Sequence, residues 1–459
     1  MADMIRCISP VDGSLYAERP ASTVKEAGAL VASARAAQKD WAARPLAERA
    51  SLVRAGVEAL AATAEDATPE IAWQMGRPVR YGGEFGGVRE RAGHMADIAE
   101  AALAPMTISD DEHVRRVIRR EPHGVTLTIA PWNYPYLTAI NTVAPALIAG
   151  NAVLLKAAAQ TLLTGERMVA AFREAGMPED VFQAVFLTHQ GTADLLAKRA
   201  FDAVSFTGSV GGGRAIEKAA AGTFVPLNLE LGGKDPAYVL EDADLDAAAE
   251  TLIDGAMFNS GQCCCGIERI YVAAPLFDRF IEKAVGIVNG YVLGNPLDPK
   301  TTLGPMAKKR FAELVRRQVA AAVDGGARKL IDPARFPEAG GAYLAPQILV
   351  DVDHTMELMR EENFGPVVGI MKVDSDDEAV RLMNDSNYGL TASLWTGDVE
   401  RAERLGARIE AGTVFMNRCD YLDPALCWTG CKDSGRGGAL SVIGYHNLTR
   451  PKSYHLKKV

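Results

Sequence analysis

Three adjacent cysteines, Cys263, Cys264 and Cys265, close the octapeptide that begins Phe258-Asn259-Ser260-Gly261-Gln262, in a chain of 459 residues that holds seven cysteines in all. Chemistry explains such a cluster better than packing. Adjacent cysteines are poorly placed to bridge one another, no CxxC spacing suggests zinc, and Gly261 with Gln262 interrupts what would otherwise be an apolar core strand. No metal is expected, and a nucleophilic thiol remains. In an extended run Cys264 points opposite to Cys263 and Cys265, so one thiol can face a cleft while its neighbours pack. Residue order alone does not choose among the three.

Other segments carry groups that such a thiol could use. Phe206-Thr207-Gly208-Ser209-Val210-Gly211-Gly212-Gly213-Arg214 follows a predicted strand and opens a helix, where free backbone N–H groups and the helix dipole favour a phosphate. It is not the GxGxxG fingerprint, because Phe206 precedes the first glycine, Gly208, by two positions, and a plain tight turn explains it equally well. Pro131-Trp132-Asn133-Tyr134-Pro135 ends another strand as a proline-bracketed corner whose amide can donate to an oxyanion. Glu230-Leu231-Gly232-Gly233-Lys234 places a carboxylate at the end of the apolar run Phe224 to Leu229, where burial raises a pKa toward the general-base range; a salt-bridged strand end is the structural alternative.

The elements that must hold these groups alternate. Thr23-Val24-Lys25-Glu26 reads as a capping box opening a helix through about Trp41, and a second helical pattern runs from Leu46 to Ala64, so the chain is expected to start helical. From Gly124 short β-rich runs alternate with helical ones: Val125 to Ile129, Ala152 to Leu155, Phe182 to Phe186 and Ala203 to Phe206. The alternation resumes after Gly232 with Ala237 to Leu240, Arg269 to Val272, Val367 to Val373, Ala392 to Trp395 and Thr413 to Asn417. Parallel α/β sheets in two units are the natural reading. Ser453 to Val459 reads as a terminal strand that needs a partner, and the basic run His113 to Arg120 suits a half-exposed strand at an edge or subunit contact.

Composition sets outer limits. The chain is 48% hydrophobic and 23% charged, ordinary for a soluble globular protein, and its net charge of −9 argues against a nucleic-acid or anionic-membrane partner. The N-terminus lacks the pattern of a signal peptide, no 18-residue apolar run is present, and the odd cysteine count has no disulfide framework, so a cytoplasmic location is expected.

Taken together the segments resemble the aldehyde dehydrogenase superfamily. Pro131 to Pro135, Gly150-Asn151, Phe206 to Ser209, Glu230 to Lys234, Gly261-Gln262-Cys263-Cys264 and Glu362-Asn363-Phe364-Gly365-Pro366-Val367 occur in that family's order and spacing, over nearly the whole chain. The resemblance implies an α/β fold: a Rossmann-like cofactor domain from residues 1–109 and 124–231, an α/β catalytic domain from 232–440, and a small β oligomerisation element from 110–123 and 441–459. It implies Cys264 as nucleophile, Glu230 as base and Asn133 in the oxyanion hole, for oxidation of an aldehyde to the acid with NAD or NADP. It also implies Trp132, Lys156, Gly208, Ser209, Gly213, Leu231, Glu362 and Phe364 around the cofactor, and a homodimer or homotetramer.

Two departures from the family pattern bear on specificity. Lys156-Ala157-Ala158-Ala159-Gln160 has Ala159 where relatives often place a glutamate that accepts from the adenosine 2′-hydroxyl, so a 2′-phosphate meets no repulsion there. Cys427-Trp428-Thr429-Gly430 replaces a Pro-Phe-Gly-Gly run, which points to a different substrate-side loop. Around the aldehyde funnel, Tyr134, Thr138 and Asn141 fall at helical spacing, Cys263 and Cys265 flank the nucleophile, and Arg418 and Tyr421 sit in the expected rim loop, where an arginine can clamp a distal carboxylate or simply remain solvated. Two other functions compete: a CoA-acylating dehydrogenase, which generally lacks the base at Glu230, and a non-catalytic homologue, which should have lost Cys264, Asn133 or Glu230.

Overall fold

The computed structural model describes residues 3–459. The strands Gly435–Arg436, Leu227–Glu230, Ala203–Thr207, Val125–Ile129, Ala152–Lys156 and Phe182–Ala184 lie side by side in that order as one sheet. All its pairings are parallel except the one between Gly435–Arg436 and Leu227–Glu230. Val125–Ile129 is buried at every position, as a strand covered by helices on both faces should be. Chain order reverses at this strand, since later strands are added on both sides of it. In open α/β sheets such a switch point opens a crevice at the carboxyl ends of the strands. Here those ends lead into Pro131–Asn133 and Gly208–Ser209.

A second sheet takes the order Arg328–Lys329, Gln347–Val350, Val367–Val373, Ile267–Ala273, Asp235–Val239, Thr391–Trp395 and Thr413–Met416, parallel except at its first pair. Separate apolar clusters pack against it, one around Phe280, Ile270 and Trp395 and another around Tyr238, Tyr271 and Leu394. The chain is thus a mixed α/β protein with two largely parallel sheets. A third sheet is antiparallel, with Val114–Pro122 between Met106–Asp110 and Thr449–Lys457.

Three expectations need correcting. The chain does not start helical: Met4–Ile8 and Leu15–Pro20 form an antiparallel hairpin, too short and too exposed to carry a periodic signature. The helix that follows, Val24–Ala43, does open with the capping box of Thr23 and Glu26. The terminal strand begins earlier than read and finds its partner within the chain, pairing with the basic run from Thr449 opposite Pro122 to Lys457 opposite Val114. Arg119 stacks over the Tyr454 ring at 4.9 Å, which places one of that run's charges. Finally, the cysteine run is a turn.

Candidate active site

The segment Phe258–Gly261 is a single 3-10 turn with Asn259 and Ser260 in the left-handed region, and Gly266 N–H donates to the Cys263 carbonyl at 3.2 Å. This folds the cysteines back on themselves, so the three sulfurs lie within 4.8 Å of one another instead of pointing to alternate sides. Exposure still separates them. Cys263 and Cys265 are 5% and 1% exposed, whereas Cys264 is only half-buried. Gly261 has φ +71°, and a Cβ there would come within 2.1 Å of the Gly365 carbonyl oxygen, so glycine lets the cysteine turn seat against the Glu362–Gly365 loop.

Asp420 lies beneath the cluster. Its Oδ1 accepts from the thiols of Cys263 at 2.8 Å and Cys265 at 3.0 Å. Turned instead toward the Cys264 sulfur, the same S–H protons hold Cys264 below the ordinary thiol value despite its burial. The same contacts with Cys264, together with burial, push Cys263 and Cys265 up. Only one sulfur of the three therefore has both access and thiolate character. No motif marks Asp420, which adopts φ 48°, a conformation that aspartate tolerates better than most residues.

Asn133 is fixed from several sides. Its Nδ2 donates to the Gln262 carbonyl at 3.2 Å, tying the Pro131–Pro135 corner to the cysteine turn, and the second N–H of that amide has no protein acceptor among the described residues. Arg77 donates from Nη2 to the Asn133 carbonyl and from Nη1 to Glu84 at 2.6 Å, in an ion pair whose side chains are 3% and 2% exposed. Glu84 also accepts from the backbone N–H groups of Tyr136 at 3.0 Å and Leu137 at 2.6 Å, so a carboxylate caps the first turn of the helix Pro135–Ala149. Neither Arg77 nor Glu84 belongs to a recognisable motif, and both escaped the sequence reading.

Glu230 ends the strand Leu227–Glu230 and is 6% exposed. Burial pushes its carboxyl up to about 7, against hydrogen bonds from Thr207 Oγ1 at 3.2 Å and Asn228 Nδ2 at 3.3 Å. Just beyond it, a Cβ on Gly233 would meet the Cys264 carbonyl oxygen at 2.7 Å, so the Gly232-Gly233 turn brings the Glu230 strand up to the cysteine turn.

The residues implied for the cofactor gather at the switch-point crevice. Ser209 caps the helix Val210–Ala220, accepting from Gly212 N–H at 3.2 Å; Gly208 packs on the Phe206 ring, and Gly213 lies against Leu231. Trp132 lies edge-on to Phe364 at 5.5 Å and stacked on Phe311 at 5.5 Å. Glu362 accepts from Gly233 N–H at 3.1 Å and is pushed up to about 8, mainly by burial. The loop carrying Glu362 and Phe364 is anchored by Glu268, which accepts from the N–H groups of Asn363 and Phe364 and pairs with buried Lys234 at 2.7 Å. Lys156 closes its strand with its pKa lowered by burial alone, without a charged partner among the described residues, and Ala159 follows in a 3-10 turn. A helix N-terminus with small residues, a lysine without an ion-pair partner among the described residues and a buried carboxylate fit a dinucleotide.

On the funnel side, Tyr134 precedes its helix and has the Arg77 guanidinium over its ring at 4.5 Å, while the Thr138 hydroxyl donates to the Tyr134 carbonyl. Asn141 is buried and accepts from Arg91 at 3.1 Å. Arg418 is exposed and lies over Tyr421 at 3.5 Å, and Tyr421 OH donates to Glu90 at 2.5 Å.

The profile of the aldehyde dehydrogenase family matches residues 1–454, and the chain belongs to that family. It is an NAD(P)-dependent aldehyde dehydrogenase. The succinate-semialdehyde dehydrogenase [NADP(+)] of Deinococcus radiodurans is 32% identical over 446 residues, covering 97% of this chain and 93% of that protein. Among solved structures, the NADP-dependent glyceraldehyde-3-phosphate dehydrogenase of Bacillus halodurans, complexed with NADP, superposes with a TM-score of 0.93 at 32% identity, covering 99% of this chain and 96% of that one. An NAD-dependent aldehyde dehydrogenase from Sinorhizobium meliloti gives 0.94 at 32% identity, covering 99% and 91%. Relatives thus use either nicotinamide cofactor.

Proposed function

We propose that the enzyme oxidises its aldehyde hydrolytically, with Cys264 as nucleophile, Asn133 as oxyanion donor and Glu230 as the base that activates water. The observation that carries this reading is Glu230, buried and pushed up to about 7 beside the turn of the one accessible, low-pKa thiol. A thiol at its ordinary value is only a few per cent thiolate at neutral pH, so holding Cys264 lower multiplies the nucleophile about tenfold or more. Attack on the carbonyl carbon forms a thiohemiacetal, whose oxyanion takes the free N–H of the Asn133 amide and the Cys264 backbone N–H. Bound NAD(P)+ supplies the hydride acceptor. Cys264 then carries the acyl group as a thioester, and Glu230 takes a proton from water as the water adds to that carbonyl, releasing the acid and restoring the thiolate.

Trp132, Lys156, Ser209, Glu362 and Phe364 would hold the cofactor. With Ala159 offering no carboxylate and Lys156 unpaired, a 2′-phosphate is tolerated, which supports use of NADP alongside NAD. A homodimer or homotetramer in the cytoplasm accords with the open outer edges of the three-stranded sheet and with cysteines that are all free.

The test is the rate of NADH and NADPH formation over a panel of aldehydes, with the acyl product identified in the presence and absence of CoA. Free acid as the sole product, formed at a rate that CoA does not change, is expected. Acyl-CoA as the main product would replace water with a thiol acceptor and remove Glu230 from its role.

A further inference from the structure

Between the helices Phe85–Leu103 and Pro135–Ala149 the structure buries a guanidinium that no carboxylate pairs. Arg91 is 6% exposed and forms no ion pair among the described residues. Its Nη1 donates to the Leu137 carbonyl at 3.0 Å and to Asn141 Oδ1 at 3.1 Å. Its Nε has no acceptor, and neither does Nδ2 of Asn141, itself 1% exposed; Nη2 likewise meets no acceptor among the described residues. The hydrogen bond from Nη1 fixes the Asn141 oxygen toward the arginine, so the amide nitrogen is left as a free donor. Burying a charge and two unpaired donors together costs several kcal/mol unless something anionic completes the set.

The location says what that something is part of. Cys265, Glu84, Cys264 and Glu230 are the titratable groups near enough to act on the Arg91 charge. Glu84 is already paired with Arg77, and Glu230 already accepts from Thr207 and Asn228. The helix that carries Asn141 is the one that begins at the Asn133 corner, and its half-buried Leu137 and Thr138 lie between the two. Unsatisfied donors therefore sit between this helix and its neighbour, about two helical turns beyond the Asn133 corner.

We propose that Arg91 and Asn141 form a subsite for the carboxylate of an oxo acid, so that the preferred aldehydes are semialdehydes whose distal anion seats between the two helices while the carbonyl reaches Cys264. The inference rests on the reading of Cys264 as nucleophile. A planar guanidinium fork with one amide donor matches the two oxygens of a carboxylate, and a single cation is a poor match for a phosphate dianion. Arg418, for which the sequence left open a carboxylate clamp or a solvated position, is exposed and stacked on Tyr421.

The experiment compares kcat/KM for succinic semialdehyde, its neutral amide and a phosphate-bearing aldehyde, in the wild type and in Arg91→Met and Arg91→Lys. The wild type should prefer the carboxylate over the amide by roughly 10- to 100-fold, the scale of a hydrogen bond to a charged group. That ratio should collapse toward one in Arg91→Met, mostly through KM, and be partly restored in Arg91→Lys. A wild-type ratio near one, a preference for the phosphate, or an Arg91→Met that lowers both substrates equally would overturn the subsite; the last would make Arg91 an electrostatic partner of the thiol. Protection of wild-type Cys264 from iodoacetamide needs no variant to fold. Succinate should protect at concentrations at least tenfold below those of butanamide, and equal protection overturns the proposal. Failure of every aldehyde to turn over would instead remove the catalytic reading, while the protection assay still reports on the subsite.

Discussion

Replacing Glu230 separates the two halves of the proposed reaction. Its rise from an ordinary 4.5 to about 7 corresponds to about 3 kcal/mol in favour of the neutral acid, which two hydrogen bonds longer than 3.1 Å do not offset. A base must be ionised, so activity should be lost as pH falls through about 7. The ionised fraction is about 0.9 at pH 8 and about 0.1 at pH 6, and steady-state kcat should drop about tenfold between them; a glutamate near 4.5 would change by only about 3 per cent. Glu230→Gln should lower kcat by roughly 100- to 10,000-fold, the usual range for a general base. Attack by Cys264 does not need that carboxylate. Stopped-flow absorbance of the reduced nicotinamide should then show a rapid burst approaching one equivalent per active site, followed by a nearly flat phase. A Glu230→Gln enzyme without a burst would place the carboxylate in acylation, and one with wild-type kcat would remove it from the chemistry altogether.

Three further outcomes follow from the same geometry. Iodoacetamide at neutral pH should modify one cysteine per chain, mapped by peptide mass to Cys264, because burial and hydrogen bonding keep Cys263 and Cys265 as thiols; equal labelling of all three would contradict the assignment. Arg77→Met leaves Glu84 charged and buried without its partner, and should destabilise the protein by about 3–5 kcal/mol, read as a lowered Tm, with kcat falling as the Asn133 corner loosens. Ala159→Glu should restore repulsion of a 2′-phosphate next to Lys156 and shift the NADP-to-NAD ratio of kcat/KM toward NAD by about tenfold or more, measured at subsaturating cofactor; an unchanged ratio would show that Ala159 does not set cofactor choice.

The sequence exposed the periodic parts of the fold and the residues proposed to react, for a physical reason that also explains what it hid. A buried parallel strand such as Val125–Ile129 or Val367–Val373 must be apolar on both faces, so its boundaries were legible to within a residue. The Met4–Ile8 hairpin buries little and carried no such constraint. Cys264, Glu230 and Asn133 were found because each stands in a local motif. Their supporters are distant in sequence: Arg77 reaches Asn133 across 56 positions, Asp420 reaches Cys263 across 157, and Glu268 reaches Asn363 across 95. Nothing in a single chain marks which arginine or aspartate will be drawn into such a contact.

The cysteine run shows the same limit at short range. Alternation assumed an extended backbone, but Asn259 and Ser260 enter the left-handed region and fold the segment into a turn, which brings three sulfurs together where two were expected to point away. Cys264 remains the proposed nucleophile on different grounds from those the sequence offered. It is not the direction of its side chain along a strand that singles it out. Each neighbouring S–H has one proton to share between Asp420 and the Cys264 sulfur, and either way the accessible sulfur is left as the acceptor. Removing Asp420 while keeping its volume, as in Asp420→Asn, should therefore change the pH at which Cys264 alkylates without changing which cysteine is alkylated.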